Sequence, residues 1–473
     1  MVFRKNSQQY RAKIRAVATK DLPRKLGLVD ATTVLVGTVI GSGIFLTPSF
    51  IARTAHYPGL IILVWVVGGL LSLCGALTYA EMGVLRPSAG GQYVFLRDAF
   101  GPLTSFLYGW SAFWIIHTGT LAAVSVAFAI YLDQLLALPP LMHRLVPVMF
   151  IAVLTALNCI GVEASKWYQN VTTFLKMAAI AGLIGASFIL GHPQAANFHP
   201  LFPSSLSLGM LGAFGTAMMG ALFAYEGWSF VTYTAGEIRN PRKNLPVALI
   251  AGTVILIATY CTMNLSYMLN LTPAEMAASD RVAAMSAQRM LGPGGGTAIT
   301  AIILLCLLGA TNGVVLTGPR IYYAMSRDQM FFRSLASVHP RFETPVYAIM
   351  AQGVWASILA VSGTYERLFT FVLLGAWIFY AVTAAAVFVY RRRGTYAPGS
   401  YRTWGYPFVP LAFIAAALLL VGNTVIHSPR DSIICLILVV LGVPAYRYWR
   451  SRTPAPESVP TTGAAAGQGV EMD

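Results

Sequence analysis

Twelve apolar stretches run through this chain, at approximately 29–52, 58–84, 102–137, 145–161, 167–190, 207–235, 245–270, 297–325, 345–362, 367–390, 406–427 and 431–449. Each is near the roughly 20 residues that a helix needs to cross the hydrocarbon core of a bilayer. The whole chain of 473 residues is 56% hydrophobic and 10% charged, whereas soluble domains carry about 25% charged residues. The expected fold class is therefore an all-α polytopic membrane protein of about 12 transmembrane helices. The first apolar stretch is too long for a secretory h-region and lacks a small-residue cleavage site, so no cleavable signal is expected.

A net charge of +15 raises the question of nucleic acid, and its distribution answers it. Taking the N-terminus as inside, about 25 basic residues fall in the tail and the loops on that side, and about 6 on the other. The tail contributes Arg4, Lys5, Arg11, Lys13, Arg15, Lys20, Arg24 and Lys25, and is read as facing lipid rather than nucleic acid. Both termini are expected in the cytoplasm. The segment after Arg452, rich in Pro, Ala, Gly and Thr, reads as a disordered tail. Cys74, Cys159, Cys261, Cys306 and Cys435 lie in or beside apolar stretches without C-x-x-C pairing, so neither a disulfide framework nor a metal site is expected.

Inside the first stretch, Thr38-Val39-Ile40-Gly41-Ser42-Gly43-Ile44-Phe45 puts two glycines around a serine where a continuous helix favours Leu or Ala. An opened helix leaves N–H and C=O groups unpaired, which hydrocarbon forbids unless they line a polar cavity. Such half-helix ends bind small charged ligands. The competing reading is glycines at a close helix–helix contact. A second break, Phe223-Ala224-Tyr225-Glu226-Gly227-Trp228, falls in the sixth stretch. Two interrupted helices five spans apart point to an inverted-repeat transporter. The expected organisation is a basic tail (1–26), a first five-helix repeat (27–190), a second inverted repeat (207–391), helices eleven and twelve (392–450) and a C-terminal tail (451–473).

Charges deep in a membrane are costly and mark candidate sites. Asp30, Glu81 and Asp133 lie near span ends, which leaves Lys176 and Glu226. Lys176 sits roughly 15 Å past the cytoplasmic Lys166, at ~1.5 Å per residue. It either snorkels to the interface or is a buried ammonium held by carbonyls of the opened first helix in place of a coupling cation. In the second case it either keeps a fixed charge or titrates and couples transport to protons. Glu226 either caps freed N–H groups of the second half-helix or faces the cavity, where it attracts a substrate ammonium or takes part in gating. His117, Trp110, Phe113 and Trp114 read mainly as packing, and a metal site at His192 and His199 is not expected.

These motifs, with Tyr79-Ala80-Glu81-Met82-Gly83, Pro87-Ser88-Ala89-Gly90-Gly91-Gln92-Tyr93, Asn240-Pro241-Arg242-Lys243-Asn244-Leu245-Pro246 and Tyr401-Arg402-Thr403-Trp404-Gly405-Tyr406-Pro407, span residues of about 25 to 410. In this the chain resembles the amino acid–polyamine–organocation superfamily, most closely a bacterial relative of the L-type amino acid transporters. The resemblance implies two inverted five-helix repeats plus two helices, working by alternating access in the bacterial inner membrane. It implies that a substrate carboxylate meets N–H groups at Ser42 and Gly43, and that its ammonium meets carbonyls of Ile40, Phe223 and Ala224, with Glu226 beside them. Phe223 matches an aromatic gate. Lys176, next to Gly41 and the opened helix, matches a stand-in for sodium, which implies sodium-independent transport. The loop from Leu138 to Leu145 lacks the cysteine that joins animal relatives to a single-span glycoprotein, so no disulfide-linked heavy subunit is expected.

The resulting expectation is a sodium-independent amino acid exchanger without cofactor. The alternative is a proton-coupled amino acid or polyamine symporter, and a membrane-embedded enzyme is remote because His117 stands alone in the spans.

Overall fold

The computed structural model describes residues 22–191, 195–205, 207–362, 365–394 and 400–452. The sequence before Leu22 and after Arg452, which includes most of both expected tails, lies outside the described residues, as does His192. Among the described residues the regular structure is helical apart from one isolated bridge between Leu26 and Ile238.

The first apolar stretch is divided into α1 (Leu28–Val39) and α2 (Gly43–Ala55), bent by 46°. The second is α3 (Pro58–Leu85), followed by the short α4 (Gln92–Phe100). The third consists of α5 (Pro102–Ser111), a π-turn (Ala112–Ile116) and α6 (His117–Leu136). The fourth and fifth are α7 (Met142–Ile160) and α8 (Val162–Leu190). The sixth is divided again, into α9 (Leu208–Ala224) and a 3-10 helix (Trp228–Glu237). The seventh is α10 (Pro241–Asn270), after which α11 (Pro273–Ala278) and α12 (Val282–Leu291) lead to α13 (Gly295–Thr317) and α14 (Pro319–Arg327). Then come α15 (Val346–Ser362), α16 (Tyr365–Arg393), α17 (Phe408–His427), α18 (Pro429–Val440) and α19 (Gly442–Arg452). Proline opens α3, α5, α10, α14 and α18, where its missing N–H has no intrahelical partner to lose.

The chain is a multi-pass membrane protein. Among the described residues nine helical segments are long and apolar enough to cross a bilayer, and the bent pair α1–α2 makes ten. The broken first and sixth stretches pack on each other, α2 against α9 and α1 against the 3-10 helix, with α3, α8, α10 and α13 around them. The outer faces of α7, α8, α17 and α18 expose large apolar side chains such as Val153, Ile189, Leu419 and Ile433, as a lipid-facing ring requires.

Two ion pairs with buried carboxylates tie this frame together. Glu81, which lies near a span end in the sequence, is fully buried. It accepts Arg391 Nε at 2.9 Å, Arg391 Nη2 at 2.8 Å and Thr403 N–H at 2.6 Å. Glu237 accepts Arg320 Nε at 2.7 Å and Nη2 at 2.9 Å, with both side chains out of solvent. Paired, fork-like geometry offsets the cost of desolvating each ion, which is several kcal/mol. Residues 22–26, assigned by sequence to the tail, join the same region of the fold. Leu26 N–H donates to Glu237 O at 2.9 Å, and Lys25 pairs with Glu343 at 2.8 Å.

Candidate functional site

The first break is a rupture of the hydrogen-bond ladder. Ile40 N–H still reaches Val36 O, but Gly41 N–H bonds only to Val39 O at 2.8 Å, and α2 restarts at Gly43. Among the described residues, no backbone carbonyl accepts the N–H groups of Ser42, Gly43 and Ile44. They form the positive end of the α2 dipole, in a buried setting, which suits a small anion. The opposite lip, the C-terminal end of α1, offers carbonyls. Lys176 Nζ, on α8, donates to Gly37 O at 2.5 Å, Ile40 O at 2.8 Å and Cys306 O of α13 at 3.3 Å. Lys176 is fully buried, so it does not snorkel. Hydrogen bonds from a charged donor contribute about 1.5–3 kcal/mol each. Three of them, with the negative end of the α1 dipole, match the several kcal/mol needed to desolvate an ammonium.

The second break forms where α9 stops at Ala224 and Gly227 takes a φ of +106°, a conformation that a side chain disfavours. Glu226 N–H turns back to Phe223 O at 2.9 Å. The Glu226 side chain does not cap the following helix. Its Oε1 accepts Tyr380 O–H from α16 at 2.5 Å, and its buried Oε2 has no hydrogen-bond partner among the described residues. Phe223, the residue matched to a gate, is half-buried at the end of α9 and packs on the core.

The two breaks touch. A Cβ on Gly43 would lie 2.8 Å from Ala224 Cα, so the close approach needs glycine. Tyr260 of α10, buried against Trp65, bridges them through its hydroxyl, 3.2 Å from Val39 O and 3.0 Å from Ala224 O. Sequence reasoning passed over Tyr260. Its only signal is that a buried phenol needs a polar partner, which an opened helix supplies. The structure thus places Ile40, Gly41, Ser42, Gly43 and Ala224 at one junction, with Lys176 on the α8–α13 side and Glu226 on the α16 side. Lys176 and Glu226 are not bonded to each other. His117 packs its ring on Phe230 and Tyr233, at 4.7 and 5.2 Å, and Trp114 packs on Trp110 and Trp355. No cluster of three His, Cys, Asp or Glu side chains that suits a metal occurs among the described residues.

The amino acid permease family model matches residues 26–443, which takes in both breaks and every residue above. The chain belongs to that family. Among curated proteins, this permease is 30% identical over 434 residues to the serine/threonine exchanger SteT of Bacillus subtilis, covering 91% of the chain and 98% of the relative. It is 28% identical over 436 residues to the b(0,+)-type amino acid transporter 1 of Mus musculus, covering 90% and 88%. It is also 29% identical over 431 residues to the cystine/glutamate transporter of Homo sapiens, covering 90% and 85%.

Proposed function

We propose that this permease is a sodium-independent amino acid exchanger that works by alternating access across the bacterial cytoplasmic membrane. The observation that carries the reading is the dipolar junction. Unpaired N–H groups at Ser42 and Gly43 face the substrate carboxylate, and the carbonyls of Ile40, Phe223 and Ala224 take its ammonium, with Glu226 adding negative charge beside them. Lys176, seated on the carbonyls of Gly37 and Ile40, supplies from within the chain the positive charge that a coupling cation would otherwise bring. Phe223 serves as the gate over the substrate. That SteT, a relative matched along nearly its whole length, is a serine/threonine exchanger supports exchange of α-amino acids here.

The two breaks belong to inverted repeats, residues 27–190 and 207–391, and rocking of one repeat against the other exposes the junction to each side in turn. The excess of basic residues puts both termini in the cytoplasm. The transporter functions without a disulfide-linked subunit. The decisive experiment is uptake of labelled amino acids into proteoliposomes with and without internal amino acid, under separate sodium and pH gradients. Uptake that requires internal substrate and is unaffected by sodium supports the exchanger. Uptake into empty vesicles that follows either gradient overturns it in favour of a symporter.

A further inference from the structure

Between α7 and α15, which pack side by side, runs an apolar groove of about 610 Å³ that opens toward lipid. Its walls include Ala152 and Ala156 on α7 and Met350, Val354 and Ile358 on α15, all exposed. Its floor is where the two helices meet. A Cβ on Gly353 would lie 2.5 Å from Thr155 Oγ1, so glycine keeps the backbones close. The Ser357 hydroxyl, also in the groove, donates to Gly353 O at 2.8 Å. From Val346 to Ile358 the groove follows α15 for roughly 18 Å, at ~1.5 Å per residue. The hydrocarbon core is roughly 30 Å thick, so the groove covers about one leaflet. A second membrane-crossing helix would need a contact through the full thickness. An acyl chain needs half of it.

The end of the groove at Cys159 and Val346 lies on the side that the basic residues assign to the cytoplasm. The loop 339–345 is pinned there, with Thr344 donating to Cys159 O at 3.1 Å. That loop carries Arg341, and the 3-10 turn Arg333–Ala336, packed against α15, carries Arg333. Both side chains are exposed, and neither is in an ion pair among the described residues. Carboxylates of this region are already engaged by lysines, Glu163 with Lys166 at 2.7 Å and Glu343 with Lys25 at 2.8 Å. Phe332 and Tyr347, next in sequence to Arg333 and Val346, are exposed aromatics of the kind that mark headgroup depth.

We propose that this groove binds one anionic phospholipid of the cytoplasmic leaflet, with an acyl chain between α7 and α15 and the phosphate facing Arg333 and Arg341. The apolar length selects a chain of one leaflet, and the two guanidinium groups select a negative headgroup. A zwitterionic headgroup fits less well, because its ammonium meets carboxylates that lysines already hold. None of the groove residues belongs to the junction of the two helix breaks, so the site stands or falls independently of the exchanger reading.

The test uses full-length protein in non-ionic detergent with equal amounts of phosphatidylglycerol and phosphatidylethanolamine of the same acyl chains, read by native mass spectrometry. The wild type is expected to retain one phosphatidylglycerol per chain, at least ~10-fold more often than phosphatidylethanolamine. Ala156→Trp fills the groove from an exposed position and is expected to reduce that retention at least ~10-fold. Should it fail to fold, Val354→Trp fills the groove from the opposite wall. Arg333→Gln combined with Arg341→Gln leaves the groove open and should bring the two lipids to equal, weak retention. Glycerol phosphate in excess, which carries the charge without the chains, should not displace the lipid. Equal retention of both lipids by the wild type, displacement by glycerol phosphate, or retention unchanged in both the filled and the charge-free variants overturns the site. A dimer that Ala156→Trp dissociates while phosphatidylglycerol stays bound would give the groove to a second copy of the chain, and overturns it too.

Discussion

At the first helix break, the exposed carbonyls of Gly37 and Ile40 close on a full positive charge from Lys176, which has three partners and no contact with solvent. At the second, Glu226 has one hydroxyl partner on Oε1 and none on Oε2. The breaks are built from similar material: a glycine, a neighbouring polar residue and an interrupted apolar helix. They differ in what has been done with the freed groups. At the first, the carbonyl lip is neutralised within the protein while the N–H lip stays unpaired, and the second retains an unused acceptor. Groups saturated by the chain itself serve as a fixed part of the frame, and groups left unsaturated are open to a ligand. That contrast supports a frame role for Lys176 and a ligand-facing role for Glu226.

Removing the charge at the first break is the strongest way to test this. Lys176→Met keeps a long flexible chain but strands the carbonyls of Gly37 and Ile40. The expected cost is on the order of 3 kcal/mol, the usual scale for removing one partner of a buried charged contact. It should appear as a lower melting temperature in detergent and as a loss of exchange of at least ~100-fold. Arginine should not rescue it, because a forked guanidinium does not fit a seat shaped for a point charge. Unchanged melting in Lys176→Met would mean that the first break closes without a cation, and the contrast would fail.

The second break should respond in the opposite way. Glu226→Gln preserves an acceptor for Tyr380 and removes the charge. Melting is expected to stay within about 0.5 kcal/mol of wild type, since an oxygen with no partner contributes no bond to lose. Apparent affinity for substrate is expected to weaken ~10-fold, about 1.4 kcal/mol, measured as the half-saturating concentration in exchange. A large fall in stability with unchanged affinity would make Glu226 a frame residue like Lys176.

Both breaks were legible in the sequence because glycine and an ionisable residue are conspicuous inside an apolar run. Gly41-Ser42-Gly43 and Glu226-Gly227 are breaches of helix propensity, and Lys176 breaches the rule against charge in hydrocarbon. The helical, multi-span character was legible for the same reason: each apolar stretch falls on a helix or a broken helix, and among the described residues nine, or ten with the bent pair, are long and apolar enough to cross a bilayer against the expected twelve. What lay beyond reach depends on partners distant in sequence. Nothing in Glu81 announces Arg391, 310 residues away, and nothing in Tyr380 announces Glu226, 154 residues away. Tyr260 and Tyr380 are uncharged, and Tyr in a span reads equally as packing until the fold shows where each hydroxyl points. The division of the third stretch by a π-turn over Ala112–Ile116 also escaped notice, because its composition is as apolar as the helices on either side.

An exposed ion pair supplies the lower limit of the comparison. Glu275, at the start of the short α11, is held below the usual carboxylate range first by hydrogen bonds from Arg289 and then by Thr272 N–H at 2.8 Å. A carboxyl whose folded pKa is depressed contributes its stability above the ordinary range, about 4.3, and loses it as the pH falls through the folded value. Glu275 and Arg289 both keep substantial solvent exposure, so water and salt screen the pair, and its contribution should not exceed about 0.5 kcal/mol. Glu275→Gln should therefore lower stability slightly at pH 7, measured by thermal unfolding in low salt. The difference from wild type should shrink as the pH is lowered below 4.3 or so, or as salt is raised. Lys176→Met should show the same loss at every salt concentration, since no solvent reaches its contacts. A salt-sensitive Lys176 variant would place that ammonium in water, and the carbonyl lip of the first break would then be as open as the Glu226 carboxylate of the second.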